Sequence, residues 1–87
     1  MQAGNGMFYY TYVLKSNLEN ELYIGWTKDL RERLKQHNKG LIRATKSRRP
    51  FNLIYYEACL NQSGAIAKEK QLKTGFGRAY LKRRLII

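Results

Sequence analysis

Apolar and polar positions along the chain change period several times, and each change marks an element. Residues 8–15, Phe-Tyr-Tyr-Thr-Tyr-Val-Leu-Lys, are aromatic and β-branched with one charge at the end, which predicts a strand. Asn17 to Asn20 has the composition of a turn. Residues 22–26, Leu-Tyr-Ile-Gly-Trp, predict a second strand, so the first two strands form a hairpin. Thr27 is placed to cap a helix from about Lys28 to Lys39, with Asp29 favourable in its first turn and Gly40 stopping it. Residues 41–50 carry four basic side chains, end at the only proline and read as a loop. Residues 51–60 are apolar on both faces, which suits a central strand. Ser63 is a candidate N-cap for a helix to about Lys73, Gly75 and Gly77 punctuate it, and a basic helix from Arg78 to Leu85 closes the chain. The order ββαβαα predicts an α/β (α+β) layer arrangement, a small three-stranded, mostly antiparallel sheet flanked by helices. Residues 1–6, small and polar, read as a flexible N-terminal extension with Met7 as the effective start, and residues 7–87 as a single domain.

The same periodicity exposes polar residues at positions where apolar ones are expected. At about 100° per residue, Leu30, Leu34 and Leu41 form one narrow stripe of the first helix. His37 falls inside it and Arg33 at its edge, one turn earlier. Two readings are open for this pair: a snorkelling arginine with a histidine satisfied in the core, or a functional pair beside the core. On the second helix, Ala65, Ile66 and Leu72 mark the apolar face, and Glu69 projects into its middle. Carboxylates are almost never buried without compensation. Glu69 therefore needs a basic partner, with Arg33 one candidate, or a metal ion, or a cleft to open onto. The first strand turns Phe8, Tyr10, Tyr12 and Leu14 to one face, and Tyr23 lies beside Gly25 on the second. These phenols are sheet packing in the first instance. Near an arginine and a carboxylate, a phenol can also orient water or exchange protons.

Charge changes the picture more than composition does. Seventeen Lys and Arg against six Asp and Glu leave +11, with a pI near 10.1. Such an excess on one small domain is the footprint of a polyanion ligand, with nucleic acid first. No helix pairs a continuous basic face with large apolar anchors, so a membrane surface is not expected as a partner. Cys59, the only cysteine, excludes an intrachain disulfide and a cysteine-cluster zinc site, and is expected as a small core residue. Nothing at the N-terminus resembles a signal peptide, and a cytoplasmic location is expected.

The motif Tyr10-Thr11-Tyr12, then Tyr23-Ile24-Gly25, then the helix Asp29 to His37 with Arg33 ten residues after Tyr23, resembles the GIY-YIG nuclease superfamily. Glu69, in Ala65 to Lys73, stands where that family has its later glutamate. The likeness runs from about Met7 onward and is greatest to the small single-domain, excinuclease-like proteins. Either tripeptide alone is weak; the ordered set Tyr, Tyr, Arg, His, Glu is specific. The first motif reads Tyr-Thr-Tyr in place of Gly-Ile-Tyr. Trp26 stands where some members carry a lysine, and the stretch Tyr80 to Arg84 lacks the later asparagine of many members.

The resemblance implies hydrolysis of DNA phosphodiesters with one divalent ion, Mg²⁺ or Mn²⁺, held by Glu69. It implies Arg33 as the phosphate clamp, Tyr12 or Tyr23 as the residue that positions or deprotonates the attacking water, and His37 as an aid to the phosphate or to proton transfer. Lys28, Lys35, Arg43, Lys46, Arg48 and Arg49 would track the backbone without reading bases. Structure-preferring or weakly specific cleavage in DNA repair or processing is the expectation, with a homodimer or a targeting partner protein as possible company. Composition does not separate DNA from RNA. The alternative is a non-catalytic nucleic-acid-binding module that keeps the nuclease fold, and Glu69 distinguishes the two: a pure binder gains nothing from a carboxylate facing a phosphate.

Overall fold

A computed structural model describes residues 8–86. The elements are β1 (Tyr9–Ser16), β2 (Leu22–Thr27), α1 (Leu30–Asn38), a short 3₁₀ turn (Lys46–Arg48), β3 (Phe51–Cys59), α2 (Gln62–Leu72) and α3 (Gly75–Leu85). This is the expected order, ββαβαα. The expected N-terminal extension, residues 1–6, lies outside the described residues.

The three strands form one antiparallel sheet in the order β2-β1-β3. The expectation of a central third strand is therefore corrected: β1 is central and β3 is an edge. Apolar letters on both faces report that a strand is packed, whereas centrality depends on which backbone groups are paired. Four consecutive residues of β1, Thr11 to Leu14, are buried, while Tyr56 of β3 is 53% exposed. The β1–β3 register shifts between Val13 and Leu14, which pair with Tyr55 and Leu53 and leave Ile54 as the extra residue of a bulge.

Alternation splits the core into two. Val13 and Ile24 face Leu72 and Leu81, so α2 and α3 cover one side of the sheet. Tyr12, Leu14 and Phe51 pack with Tyr23, Leu30, Leu34 and Leu53 on the other side, under α1. Leu41, expected to extend the α1 stripe, is instead 68% exposed. Gly40 takes a left-handed backbone (φ 81°), and the helix ends in paired bonds from Gly40 N to His37 O and from Leu41 N to Gln36 O. That geometry turns the chain away before Leu41 can reach the core.

The helix starts also differ from expectation. Asp29, not Thr27, caps α1 by accepting from Glu32 N; the Thr27 hydroxyl accepts from Asp29 N one step earlier. Asn61, not Ser63, caps α2 by accepting from Gly64 N. Thr74 caps α3, which begins at Gly75 rather than Arg78. Gly77 is thus no punctuation: a Cβ there would lie 2.5 Å from Leu72 Cα, so its missing side chain lets α3 close onto α2. Cys59, expected in the core, is only half-buried at the end of β3.

Candidate active site

The Tyr12 hydroxyl is the point on which the site converges. Tyr12 sits mid-strand in β1 opposite Gly25, and its Oη would be 2.7 Å from a Cβ at that position. The glycine of the second strand motif is therefore the space in which the first motif's phenol lies. Tyr12 Oη is 2.9 Å from His37 Nε2, and His37 Nδ1 is 2.7 Å from Thr45 Oγ1. Thr45 Oγ1 in turn donates to Ile42 O at 3.4 Å. With the threonine proton used there, Thr45 accepts from Nδ1–H, which leaves Nε2 as the acceptor for the Tyr12 hydroxyl. Each hydroxyl and ring nitrogen in this relay then has a partner inside the protein.

His37 is fully buried and boxed by aromatic rings. Tyr23 meets it edge-on at 4.9 Å between centroids, Tyr12 at 5.7 Å, and Phe51 lies at 6.2 Å. Burial, with the Arg33 charge second, lowers its pKa from 6.5 to about 4, so the imidazole is neutral at physiological pH. Burial also raises the Tyr12 phenol well above its ordinary value. The neighbouring Tyr23 and Glu69 push the same way, and Arg33 opposes them. The Tyr23 ring lies 6.3 Å from that of Tyr12, and the Arg33 and Glu69 charges are both felt at the hydroxyl bonded to His37. Of the five residues singled out in the sequence, Tyr12, Tyr23 and His37 are adjacent, from β1, β2 and α1, while Arg33 of α1 and Glu69 of α2 act on Tyr12 through their charges.

Arg33 is half-buried on α1, and among the described residues its guanidinium pairs with no carboxylate. Glu69 is 18% exposed in its side chain and forms an ion pair with Lys73, one turn on, at 2.7 Å. The partner is Lys73, not Arg33. A depression lined by Leu22, Tyr23, Ile24, Lys73 and Arg78 wraps the free edge of β2, taking residues from both faces of that strand. The sheet is only about 10 Å between its outer strands, so side chains from the α2–α3 layer can reach that edge.

No group of three or more His, Cys, Asp or Glu able to hold a metal occurs among the described residues. A single carboxylate still fits a hard cation that retains most of its water, as Mg²⁺ does. The exposed Lys73 partner is a contact of small worth, easily displaced.

Of the basic residues expected to follow a backbone, Lys28, Lys35, Arg43, Lys46 and Arg49 are exposed. Arg48 is engaged elsewhere: it pairs with Glu21 at 2.9 Å and donates to Ala44 O at 2.7 Å, tying the 41–50 segment to the β1–β2 turn. Sequence reading missed Thr45, a buried threonine in a segment legible only as basic. It also missed Lys73, although its i, i+4 spacing to Glu69 was there to see.

A three-stranded antiparallel sheet with α1 on one face and α2 and α3 on the other carries these residues. The family model of the GIY-YIG catalytic domain matches residues 8–83, and the chain belongs to this family. A UPF0213 protein of Syntrophus aciditrophicus is 41% identical over 66 residues, covering 74% of this chain and 75% of the relative. One from Pediococcus pentosaceus is 46% identical over 66 residues, covering 75% and 68%. The solution structure of a UPF0213 protein from Bacillus halodurans superposes with a TM-score of 0.54 at 28% identity, covering 86% of this chain and 82% of that one. Among the described residues, no helix is long and apolar enough to cross a membrane.

Proposed function

We propose that this chain is a divalent-metal-dependent endonuclease that hydrolyses DNA phosphodiester bonds, choosing its target by DNA structure or through a partner protein more than by base sequence. The observation that carries the reading is the Tyr23 ring packed against a fully bonded Tyr12–His37–Thr45 chain, with the charges of Arg33 and Glu69 felt at the Tyr12 hydroxyl.

Exposure divides the labour. Tyr12 and His37 are 2% and 0% exposed, while Tyr23 is half-exposed. Tyr23 is then the phenol that meets the attacking water, accepting its hydrogen bond and aiming its lone pair at phosphorus. Tyr12, His37 and Thr45 act behind it as positioning residues, holding the Tyr23 ring against the imidazole. Arg33 grips the scissile phosphate with its fork of donors and offsets the charge that develops on its oxygens. Glu69 would hold one Mg²⁺ or Mn²⁺ ion, which would supply Lewis-acid stabilisation of the charge that develops on the phosphate. Phosphate on Arg33 also offsets the positive charge that helps to keep His37 neutral. The imidazole therefore becomes a better proton acceptor for Tyr12 when substrate is present.

The Glu69–Lys73 ion pair favours a second reading, a nucleic-acid-binding module in which that carboxylate is structural. Cleavage of plasmid and branched DNA with Mg²⁺ or Mn²⁺ separates the two, with EDTA controls and binding measured on the same samples. Metal-dependent cleavage that is lost in Glu69→Gln and Arg33→Ala, with DNA binding kept in Glu69→Gln, supports the nuclease. Tight binding indifferent to Glu69→Gln, with no cleavage of any substrate, overturns it.

A further inference from the structure

A second feature lies on the same sheet face, beside α1. A cleft of about 590 Å³ opens between the start of α1 and the outer part of the sheet, lined by Tyr10, Tyr56, Lys28, Asp29, Arg31 and Leu53 among others. Two of its lining residues, Tyr10 and Tyr56, are aromatic, and Phe8 stands next to Tyr10 outside the lining. Phe8 and Tyr10 rings are 6.5 Å apart and tilted by 49°; Tyr10 and Tyr56 are 6.0 Å apart and tilted by 59°. Phe8 is 39% and Tyr56 53% exposed, with Tyr10 half-buried between them. The catalytic proposal uses none of these rings.

The cations set the chemistry of the occupant. Lys28 and Arg31 are exposed at the cleft, and among the described residues neither is in an ion pair. The one acidic lining residue, Asp29, accepts from Glu32 N through one oxygen at the start of α1, which leaves the two cations in excess. Exposed π-faces beside unpaired cations match a polyanion that also offers flat faces. Duplex DNA does not offer them, because its bases are stacked on one another; unpaired nucleotides do. The position fits too: Tyr10 precedes Tyr12 by two residues on the same face of β1, a step of roughly 7 Å, the length of about two stacked nucleotides.

We propose that this cleft seats unpaired nucleotides, stacked on Tyr10 and Tyr56 with their phosphates drawn to Lys28 and Arg31. Resting on the nuclease reading, this makes the substrate a DNA with a single-stranded stretch next to the scissile phosphate, such as a flap, fork or gap. The aromatic row then selects the structure, and the site around Tyr12 acts at the junction.

Binding in EDTA tests the cleft independently of cleavage. Fluorescence anisotropy is read with oligothymidine, oligouridine and a duplex of equal length at one salt concentration. An oligonucleotide carrying 2-aminopurine reports stacking through quenching. Tyr56→Ala, at an exposed position, should cost about ten-fold in single-strand affinity, relieve the quenching and leave duplex binding within two-fold. Tyr56→Phe should restore both. Tighter binding of the thymidine strand assigns the site to DNA, as proposed; tighter binding of the uridine strand overturns that assignment. Equal losses on single strand and duplex in Tyr56→Ala, or no loss on either, overturn the stacking site itself. With Mg²⁺ present, a flapped substrate should lose its advantage over plain duplex in Tyr56→Ala. If no substrate is cut but the EDTA result holds, the nuclease reading fails and the cleft stands. If cleavage is present but Tyr56→Ala changes neither affinity nor preference, the cleft fails and the nuclease stands.

Discussion

At the scale of single residues, His37 couples the site to stability. Its imidazole is sealed in neutral form with a pKa near 4, whereas an unfolded chain takes up that proton near 6.5. Above the unfolded value neither state is protonated and the contribution to stability is complete. As pH falls from 6.5 toward 4, only the unfolded state gains the proton and the fold loses stability, by roughly 3 kcal/mol over the window. Urea midpoints measured from pH 7 to pH 4 should fall more steeply for the wild type than for His37→Gln; parallel slopes would remove the linkage. This residue was legible in the sequence because it broke an apolar stripe, as Glu69 did on its helix. Thr45 was not: one hydroxyl in a loop carries no periodicity, and only the folded chain shows that it holds Nδ1. The Tyr12–Tyr23 question also needed three dimensions, since burial separates two tyrosines that the sequence leaves equivalent.

Elements were legible in order and type, less so at their ends. Alternation and 3.6-residue periodicity survive in any sequence that packs a sheet between helices. Caps do not, because Thr27, Asp29, Asn61, Ser63 and Thr74 are all competent, and the choice depends on where the preceding segment ends. Nor does edge against centre, as β3 shows. The two glycines near the start of α3 make the same point and give a paired prediction. A Cβ at Gly75 would meet nothing within 4 Å, whereas one at Gly77 would strike the Leu72 backbone at 2.5 Å. Gly75→Ala should be neutral or stabilise by up to about 1 kcal/mol. Gly77→Ala should force α2 and α3 apart at a cost of about 1–3 kcal/mol, which outweighs alanine's helix preference. Thermal melts of the two variants should move in opposite directions, or only the Gly77 variant should fall, by about 5–15 °C.

The whole molecule carries +11, and its basic residues do not all serve the same purpose. Composition predicted a polyanion partner but could not distinguish a side chain facing solvent from one holding a loop. Lys35 is exposed on α1, whereas Arg48 is locked to Glu21 and Ala44 O. Each neutralised phosphate contributes about −0.9 to the slope of log affinity against log salt. Lys35→Gln should therefore flatten the slope for DNA by about one contact and leave thermal stability unchanged. Arg48→Gln should leave the slope alone and lower the melting temperature. A flattened slope in Arg48→Gln would show that the Glu21 pair opens to release a phosphate contact.

The sealing of the imidazole bears on which ions the protein would accept in a cell that holds many. Zinc and copper outcompete magnesium at nitrogen and sulfur ligands. Here the sole histidine has both ring nitrogens bonded inside the core, to Tyr12 and to Thr45. The ligand proposed for the ion, Glu69, would offer only oxygen, which discriminates little in favour of the softer metals. A Mg²⁺-supported reaction should then tolerate micromolar Zn²⁺ in the wild type. By hiding its one histidine, the fold would gain a filter for hard cations without building a metal cage.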